Sequence, residues 1–273
     1  KRDDAAPPAS SPMAVESKPV TAAPKHTLKQ RVVQLPAGSN LVFQSKAWSE
    51  ENTNHCTLQY YPFGVVDLAT NAALSLLRHL IAEPAYNQLR TQEQLGYIVH
   101  SQLKTLGDHV KALVLLVQGE AQDPVHMDSR MHHFWQKVRT QLVEMPDSEF
   151  KQHRQALYDN FMESKKNLLQ ESASHWNVIT NQSYHFDRIP DIAQHLHSQT
   201  KLSILQLIDK HILYGSCLSI HMFGHGTDIP EDKNIALIQD PVEFGRSQCL
   251  YPLPPTETVN VVDLELQNVQ TTD

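Results

Sequence analysis

Alternation of apolar and polar residues with a period of two marks three segments near the start of the chain. They are QRVVQL at 30–35, LVFQSK at 41–46 and CTLQYY at 56–61. Such alternation is typical of strands that bury one face. Turn-forming residues separate the segments at 36–38 and 49–52, so the pattern predicts three strands in an antiparallel meander.

A helical period follows, with Leu68, Ala72, Leu76, Leu77 and Leu80 on one stripe. The stripe predicts a helix that begins after a cap at 67 and runs to about residue 82, where the proline at 84 either closes it or starts the next turn. A short polar helical stretch, AYNQLRTQEQ, comes next and breaks at the glycine at 96.

Strand-like runs at 97–103 and 110–118 flank a Gly-Asp turn and predict a second hairpin. Most of the remaining chain has helical periodicity, and a closing strand is predicted at 217–223. The predicted helices cover 127–142, a segment from 148, 168–181, 189–197 and 201–212. This order of elements predicts the α+β class, an antiparallel sheet with helices packed mainly on one face.

Composition changes along the chain and suggests three parts. Residues 1–28 are rich in Pro, Ala and Ser and predict a disordered linker. Residues 29–226 carry the strand and helix patterns and form the predicted domain. Residues 227–273 read as a Pro-rich, acidic C-terminal tail.

Charge and residue counts exclude several classes of protein. The 273 residues carry a formal charge of −7, which argues against nucleic acid or anionic lipid as a partner. No apolar run approaches the roughly 20 residues of a membrane span, and nine glycines include no phosphate-binding motif. Three widely spaced cysteines, an odd number, are more typical of reduced thiols than of a disulfide framework. We therefore expect a cytoplasmic location, with an organelle matrix as the alternative.

Sixteen histidines invite a test for metal sites. Neither HxxEH nor HExxH occurs in the sequence. His132 and His133 are adjacent and point apart on a helix, and His195 and His197 do not face each other either. GxSxG is also absent, and the cysteines lack an activating context. We expect no metal ligand and no catalytic nucleophile in this chain.

The polar run at 83–99 lies between an apolar helix and an apolar strand, where binding residues are often found. The glycine at 96 would allow a tight change of direction that presents Arg90 and Tyr97 at one end of the sheet. Glu93, Gln94 and Asn87 are expected to hold this loop by hydrogen bonds.

The run EPAYNQLRTQEQLGYIV closely resembles a segment of the insulinase (pitrilysin) group of zinc metallopeptidases. The resemblance extends over about 29–223 and includes QRVVQLP, LQYY, SRMHHFW, KKNLLQESASHW and QSYHFDR. It does not extend to the first 26 residues or beyond about residue 226.

The resemblance implies an enzyme of four homologous α+β domains, related to the LuxS/MPP-like fold, in two halves around a closed chamber. The first domain would carry HxxEH and a distal Glu, and the present chain resembles the fourth. Arg90 and Tyr97 match the family's substrate-contacting Arg and Tyr, which bind the scissile peptide and its developing oxyanion. Zinc would then be held by another domain and not by this chain.

These observations predict the non-catalytic C-terminal domain of an insulinase-like zinc metalloendopeptidase. Its expected partners are peptide substrates and the zinc-bearing N-terminal half of the same enzyme, and it is expected to be inactive alone. The alternative is a zinc-free module that binds peptides or acts as a scaffold without proteolysis.

Overall fold

A mixed six-stranded sheet organises the chain in the computed structural model, which describes residues 30–107, 109–180, 183–230 and 235–253. The predicted linker at 1–28 lies outside the described residues. The strands are β1 Asn40–Lys46, β2 His55–Val65, β3 Ile98–Leu106, β4 Val110–Gly119, β5 Cys217–Phe223 and β6 Ala236–Leu237.

Helices form the second layer of the fold. They are α1 Leu68–Ala85, α2 Pro124–Glu144, α3 Asp147–Met162, α4 Leu168–Thr180, α5 Arg188–Leu196, α6 Lys201–Leu207 and α7 Pro241–Ser247. One π-helical segment, Tyr86–Gln92, follows α1 directly, and a second, Ile208–Leu213, follows α6. The predicted α+β class is confirmed, as are the predicted second hairpin, β3–β4, and the closing strand, β5.

The strand order is β3-β4-β2-β5-β1-β6. β1 runs parallel to β5 and β6, whereas β2 is antiparallel to both β4 and β5. The predicted meander is therefore wrong, because β5 separates β1 from β2. The connection at 47–54 is longer than the two to five residues of a hairpin loop, so it allows the chain to cross over β5.

The predicted strand at 30–35 is also wrong. Only Val33 bridges to another segment, at Leu250, and two backbone bonds flank the bridge: Gln34 N–H donates to the Cys249 carbonyl, and Tyr251 N–H donates to the Val32 carbonyl. The partner segment is short and meets Pro252, which has no N–H to continue a ladder. Part of the predicted acidic tail thus packs against the start of the described chain.

Helix α1 begins as predicted, with the Asp67 carboxylate accepting a hydrogen bond of 2.7 Å from the Thr70 N–H. It does not end at Pro84, which lies inside the helix. Proline forfeits one backbone bond, but the apolar stripe continues to Leu89, which is fully buried, so burial keeps the chain helical through Gln92.

The two faces of the sheet differ. Odd-numbered residues of β4, including Leu113, Leu115 and Val117, belong to the core under the helices. Even-numbered residues point to the opposite face, which we call the open face. Strand pairing aligns with them a group of partly exposed, mainly apolar residues, namely Phe43, Leu58, Tyr60, Leu116, Leu218, Ile220 and Met222.

A mostly buried carboxylate, with its side chain 15% exposed, connects α2 to the sheet. Asp128 accepts hydrogen bonds from the Ser219 hydroxyl at 2.7 Å and the Gln59 amide at 2.9 Å. Burial by itself would raise the pKa of Asp128, but the imidazoles of His132 and His221, 3.5 and 3.6 Å from the carboxylate, together with the hydrogen bond from Ser219, outweigh burial and hold the pKa well below its usual range. The charged form of Asp128 therefore stabilises the contact between α2, β2 and β5.

Candidate functional site

The π-helical segment Tyr86–Gln92 carries the first predicted site residue, Arg90, and packs against β3 and α2. The neighbouring Leu89 is fully buried and anchors the segment, while Arg90 is exposed. The Arg90 guanidinium lies over the ring of Tyr86, 4.8 Å from its centroid, a cation–π arrangement. The ring restricts the side chain, yet leaves its N–H groups available to solvent or a ligand.

Glu93 ties the following loop to helix α2. Its carboxylate accepts hydrogen bonds of 2.7 Å from the Gln88 amide and 2.7 Å from the Arg130 guanidinium. Burial would raise the pKa of Glu93, but the bonds from Arg130 and Gln88 dominate and lower it. Glu93 thus has the predicted supporting role, and Gln88, rather than the exposed Asn87, provides the amide partner.

The glycine before Tyr97 is required for a different reason from the one predicted. Gln94, with φ of 50°, takes the left-handed conformation that turns the chain. Gly96 instead packs against the backbone of β4, where an added Cβ would lie 2.2 Å from the Gln118 carbonyl oxygen. The expectation that Gly96 itself makes the tight change of direction is therefore wrong, because close approach of the β4 backbone, and not a special φ, excludes a side chain there.

Tyr97, the second predicted site residue, lies immediately before β3 and is half exposed. Its hydroxyl donates to the Asn54 Oδ1 at 2.9 Å and accepts from the Gln118 amide at 3.0 Å. The Asn54 amide nitrogen in turn donates to the Asn52 Oδ1 at 3.1 Å, which orients the Asn54 oxygen toward Tyr97. The phenol is therefore held at the sheet end where β2 begins and β4 ends.

Several of these partners could not be found by reading the sequence. Asn54, which lies just before β2, and Gln118 of β4 approach Tyr97, and Arg130 approaches Glu93 from α2. Nothing in their local sequence distinguishes them from ordinary polar surface residues. Only strand register and helix packing bring them together.

The ionisable side chains are dispersed and do not form a metal-binding arrangement in the described ranges. Within the part of the chain that the structure describes, no group of three or more His, Cys, Asp or Glu side chains is placed to hold a metal ion. His221 is 1% exposed, and its Nε2 lies 3.6 Å from the Asp128 carboxylate. The described residues therefore do not fit a zinc ion.

No described helix combines the length and the apolar character needed to cross a bilayer. The three cysteines Cys56, Cys217 and Cys249 are free thiols. Burial raises the pKa of Cys217 to about 12, so this thiol stays protonated at neutral pH.

Comparison with known proteins places this fold and loop in a family. The model of the PQQ synthase PqqF-like C-terminal lobe domain 4 matches residues 76–176, which include both Arg90 and Tyr97. The structure of pitrilysin superposes with a TM-score of 0.68 over 81% of this chain and 24% of that chain, at 19% identity, which shows the shared fold.

Sequence relatives agree. Human insulin-degrading enzyme is 30% identical over 253 residues, covering 84% of this chain and 24% of that protein. A nardilysin-like protein of Arabidopsis thaliana is 28% identical and covers 82% of this chain and 23% of that protein. The predicted resemblance is confirmed: the chain corresponds to the C-terminal region of insulinase-family metallopeptidases. It spans about a quarter of the length of these relatives.

Proposed function

We propose that the chain is the non-catalytic C-terminal domain of a zinc metalloendopeptidase, spanning about 29–226, and that it forms part of the wall of a degradation chamber. Because the described residues do not fit zinc, the metal belongs in this proposal to another domain of the complete enzyme. The 273-residue chain alone is then inactive, and its partners are peptide substrates and the zinc-bearing N-terminal half.

The exposure and hydrogen bonding of the Tyr97 side chain support this function most. A half-exposed phenol is held by two amides at the end of a sheet, beside a loop that is anchored through Glu93 and Arg130. A site on a supported loop keeps its hydrogen-bonding groups in place before the ligand arrives.

Arg90 and Tyr97 have complementary roles in the proposal. Arg90 donates hydrogen bonds to backbone carbonyls of an extended peptide and so positions it. The Tyr97 hydroxyl has one proton, which Asn54 accepts in the structure. To donate to a substrate oxygen, Tyr97 must exchange Asn54 for the peptide, while the Gln118 amide still donates to the phenol oxygen and strengthens it as a donor.

The open face extends this proposed site. Its partly exposed apolar residues, among them Leu58, Leu116 and Ile220, would line the chamber and contact apolar side chains of an unfolded peptide. We propose a cytoplasmic or organelle-matrix location, which is compatible with three free thiols.

The test uses the complete enzyme, made by joining this chain to the preceding part of its gene product. Tyr97→Phe should lower the turnover of a fluorogenic peptide by about 10²-fold, because a transition-state donor is lost. Tyr214→Phe is the matched control, since Tyr214 is 79% exposed and far more open to solvent. Tyr214→Phe should be silent.

Unchanged turnover in Tyr97→Phe would remove the proposed role. If the preceding reading frame lacks HxxEH with a distal Glu, the enzymatic role fails as a whole. Peptide binding without cleavage would then favour the zinc-free binding module.

A further inference from the structure

The indole of Trp48 projects from the connection between β1 and β2, residues 47–54. Trp48 is 102% exposed, whereas Trp135 is 1% exposed and lies in the core. The Trp48 ring therefore adds nothing to the packing of the described domain. Tryptophan combines a large apolar face with one N–H donor, and a free indole is a strong contact group for a ligand.

The connection that carries Trp48 is fixed on both sides of the indole. The Ala47 N–H donates to the Phe223 carbonyl at 2.7 Å, and the Asn52 carbonyl accepts from the His225 N–H at 2.8 Å. Both partners belong to the end of β5 and the turn after it. A ligand that contacts the indole therefore does not have to order the loop first.

The same connection leads into the candidate site. Asn54, at its end, accepts the hydrogen bond of the Tyr97 hydroxyl at 2.9 Å. Only β5 separates β1 from β2, so the connection crosses two inter-strand spacings, about 10 Å in all. Because an extended peptide rises about 3.3 Å per residue, one peptide can reach both Tyr97 and Trp48 with positions about three residues apart.

The loops around Trp48 carry carboxylates and no basic side chain. Neither Lys nor Arg occurs in the loops that meet at this end of the sheet, which are 47–54, 93–97, 120–123 and 224–230. Glu50 and Glu51 lie in the same connection as Trp48, and both are exposed. The surroundings of the indole are therefore acidic.

Contacts with neighbouring groups reinforce this acidic character. The Glu120 carboxylate, just after β4, accepts a hydrogen bond of 2.6 Å from the Thr53 hydroxyl, which holds it against the connection. Lys46 ends β1 just before the connection, and its amino group lies 3.5 Å from the Asp228 carboxylate. The Lys46 charge is thus offset by Asp228, and the loops keep a net negative charge.

An exposed indole among carboxylates favours a cationic ligand. The negative face of an indole attracts ammonium and guanidinium groups better than the other aromatic side chains do. The carboxylates raise the local concentration of cations and repel anions. A neutral apolar side chain would gain from the ring alone. Arg or Lys is therefore the peptide side chain that both features favour.

We propose that Trp48, together with Glu50, Glu51 and Glu120, forms a subsite for a basic side chain of the peptide substrate. That side chain lies about three residues from the peptide carbonyl that Tyr97 contacts. The inference rests on the proposed function in assuming that an extended peptide binds at Tyr97.

The experiment compares quenched fluorogenic peptides cleaved by the complete enzyme. The peptides differ only in having Arg, Gln or Leu three residues from the cleaved bond, on its amino side in one set and on its carboxyl side in another. In one set, Arg should give the highest kcat/KM. Trp48→Ala should lower the Arg-to-Gln ratio of kcat/KM by about 3–5-fold, as expected for the loss of an exposed cation–π contact.

Two further variants separate the ring from the charges. Combined Glu50→Gln and Glu51→Gln should also lower the Arg-to-Gln ratio and weaken its dependence on salt, because screened charges no longer contribute. Trp176→Ala is the matched control, since Trp176 is 62% exposed on α4, outside these loops, and this variant should keep the ratio. Circular dichroism should show every variant folded, since the three replaced side chains of the connection and control are exposed.

An Arg-to-Gln ratio that Trp48→Ala leaves unchanged would overturn the subsite, and so would a preference for Leu over Arg in both sets. If the complete enzyme cleaves none of the peptides, the proposed function fails, and the subsite is then tested by fluorescence anisotropy. Labelled Arg and Gln peptides are titrated with the 273-residue chain. Tighter binding of the Arg peptide that Trp48→Ala abolishes would support the subsite, whereas equal binding of the two peptides would overturn it.

Discussion

Replacement of Gly96 by alanine tests how the candidate site is built. The added Cβ would lie 2.2 Å from the Gln118 carbonyl oxygen and 2.6 Å from its carbon, whereas ordinary contact begins near 3.4 Å. The loop and the end of β4 must then separate by about 1 Å, since neither obstructing atom belongs to a flexible side chain. Tyr97 follows directly and would move with the loop.

The expected cost follows from these contacts. Overpacking against rigid backbone costs about 1–3 kcal/mol, and weakening the bond between the Tyr97 hydroxyl and the Gln118 amide adds roughly 1 kcal/mol. We expect the free energy of unfolding to fall by about 3 kcal/mol, which lowers the Tm by about 6–12 °C for a domain of this size.

Urea unfolding followed by circular dichroism measures the change, and Gly245→Ala is the matched control. Gly245 lies in α7, and its added Cβ meets nothing closer than Val33 Cγ2 at 3.9 Å. Alanine there should be neutral or stabilise by up to about 1 kcal/mol through helix propensity. The reasoning is refuted if Gly96→Ala unfolds within about 0.5 kcal/mol of the wild type.

Three further predictions concern the groups that support the fold and the loop. Asp128→Asn should lower the free energy of unfolding by about 2–4 kcal/mol at pH 7, as measured by urea unfolding. Because the folded-state pKa of Asp128 is lowered, the carboxylate stabilises the fold above about pH 4, and this stabilisation disappears as the pH falls. Wild type and variant should therefore converge in stability in acid, and a constant difference would contradict this reasoning. Arg130→Met should lower the free energy of unfolding by only about 1 kcal/mol, since the ion pair with Glu93 is partly solvated. It should nevertheless speed amide hydrogen exchange at 93–97, and unchanged exchange would argue against the anchoring role. Cys249, which is exposed, should react with maleimide in the folded protein, whereas the buried Cys217 should react only after denaturation. Mass spectrometry of the labelled peptides measures the difference, and early labelling of Cys217 would contradict its burial.

Local patterns predicted most individual elements correctly. The apolar stripe from Leu68 to Leu80 correctly predicted where α1 begins and which face it buries. The Asp67 cap could also be predicted, because capping depends on residues that are neighbours in sequence. The paired strands β3 and β4 were readable for the same reason, since a short turn joins them. Arg90 and Tyr97 were singled out by composition and resemblance, and their substrate contacts stay a prediction.

Long-range arrangement was beyond the local pattern. Strand alternation at 30–35 and 41–46 is equally regular, yet only the second segment joins the sheet, because β5 from the far end of the chain supplies its partner. The pattern also failed at Pro84, where burial of Leu89 outweighs the lost backbone bond.

The sequence by itself determined most of the helical and extended segments, the apolar faces of those segments, and the absence of a zinc motif from its 273 residues, because each property depends on residues close together in the chain. Only the tertiary structure decided that Asn54 and Gln118 hold the Tyr97 hydroxyl, that Arg130 anchors Glu93, and that Gly96 must lack a side chain. Those contacts depend on strand register and helix packing, which arise when distant segments share one core and which no local periodicity encodes.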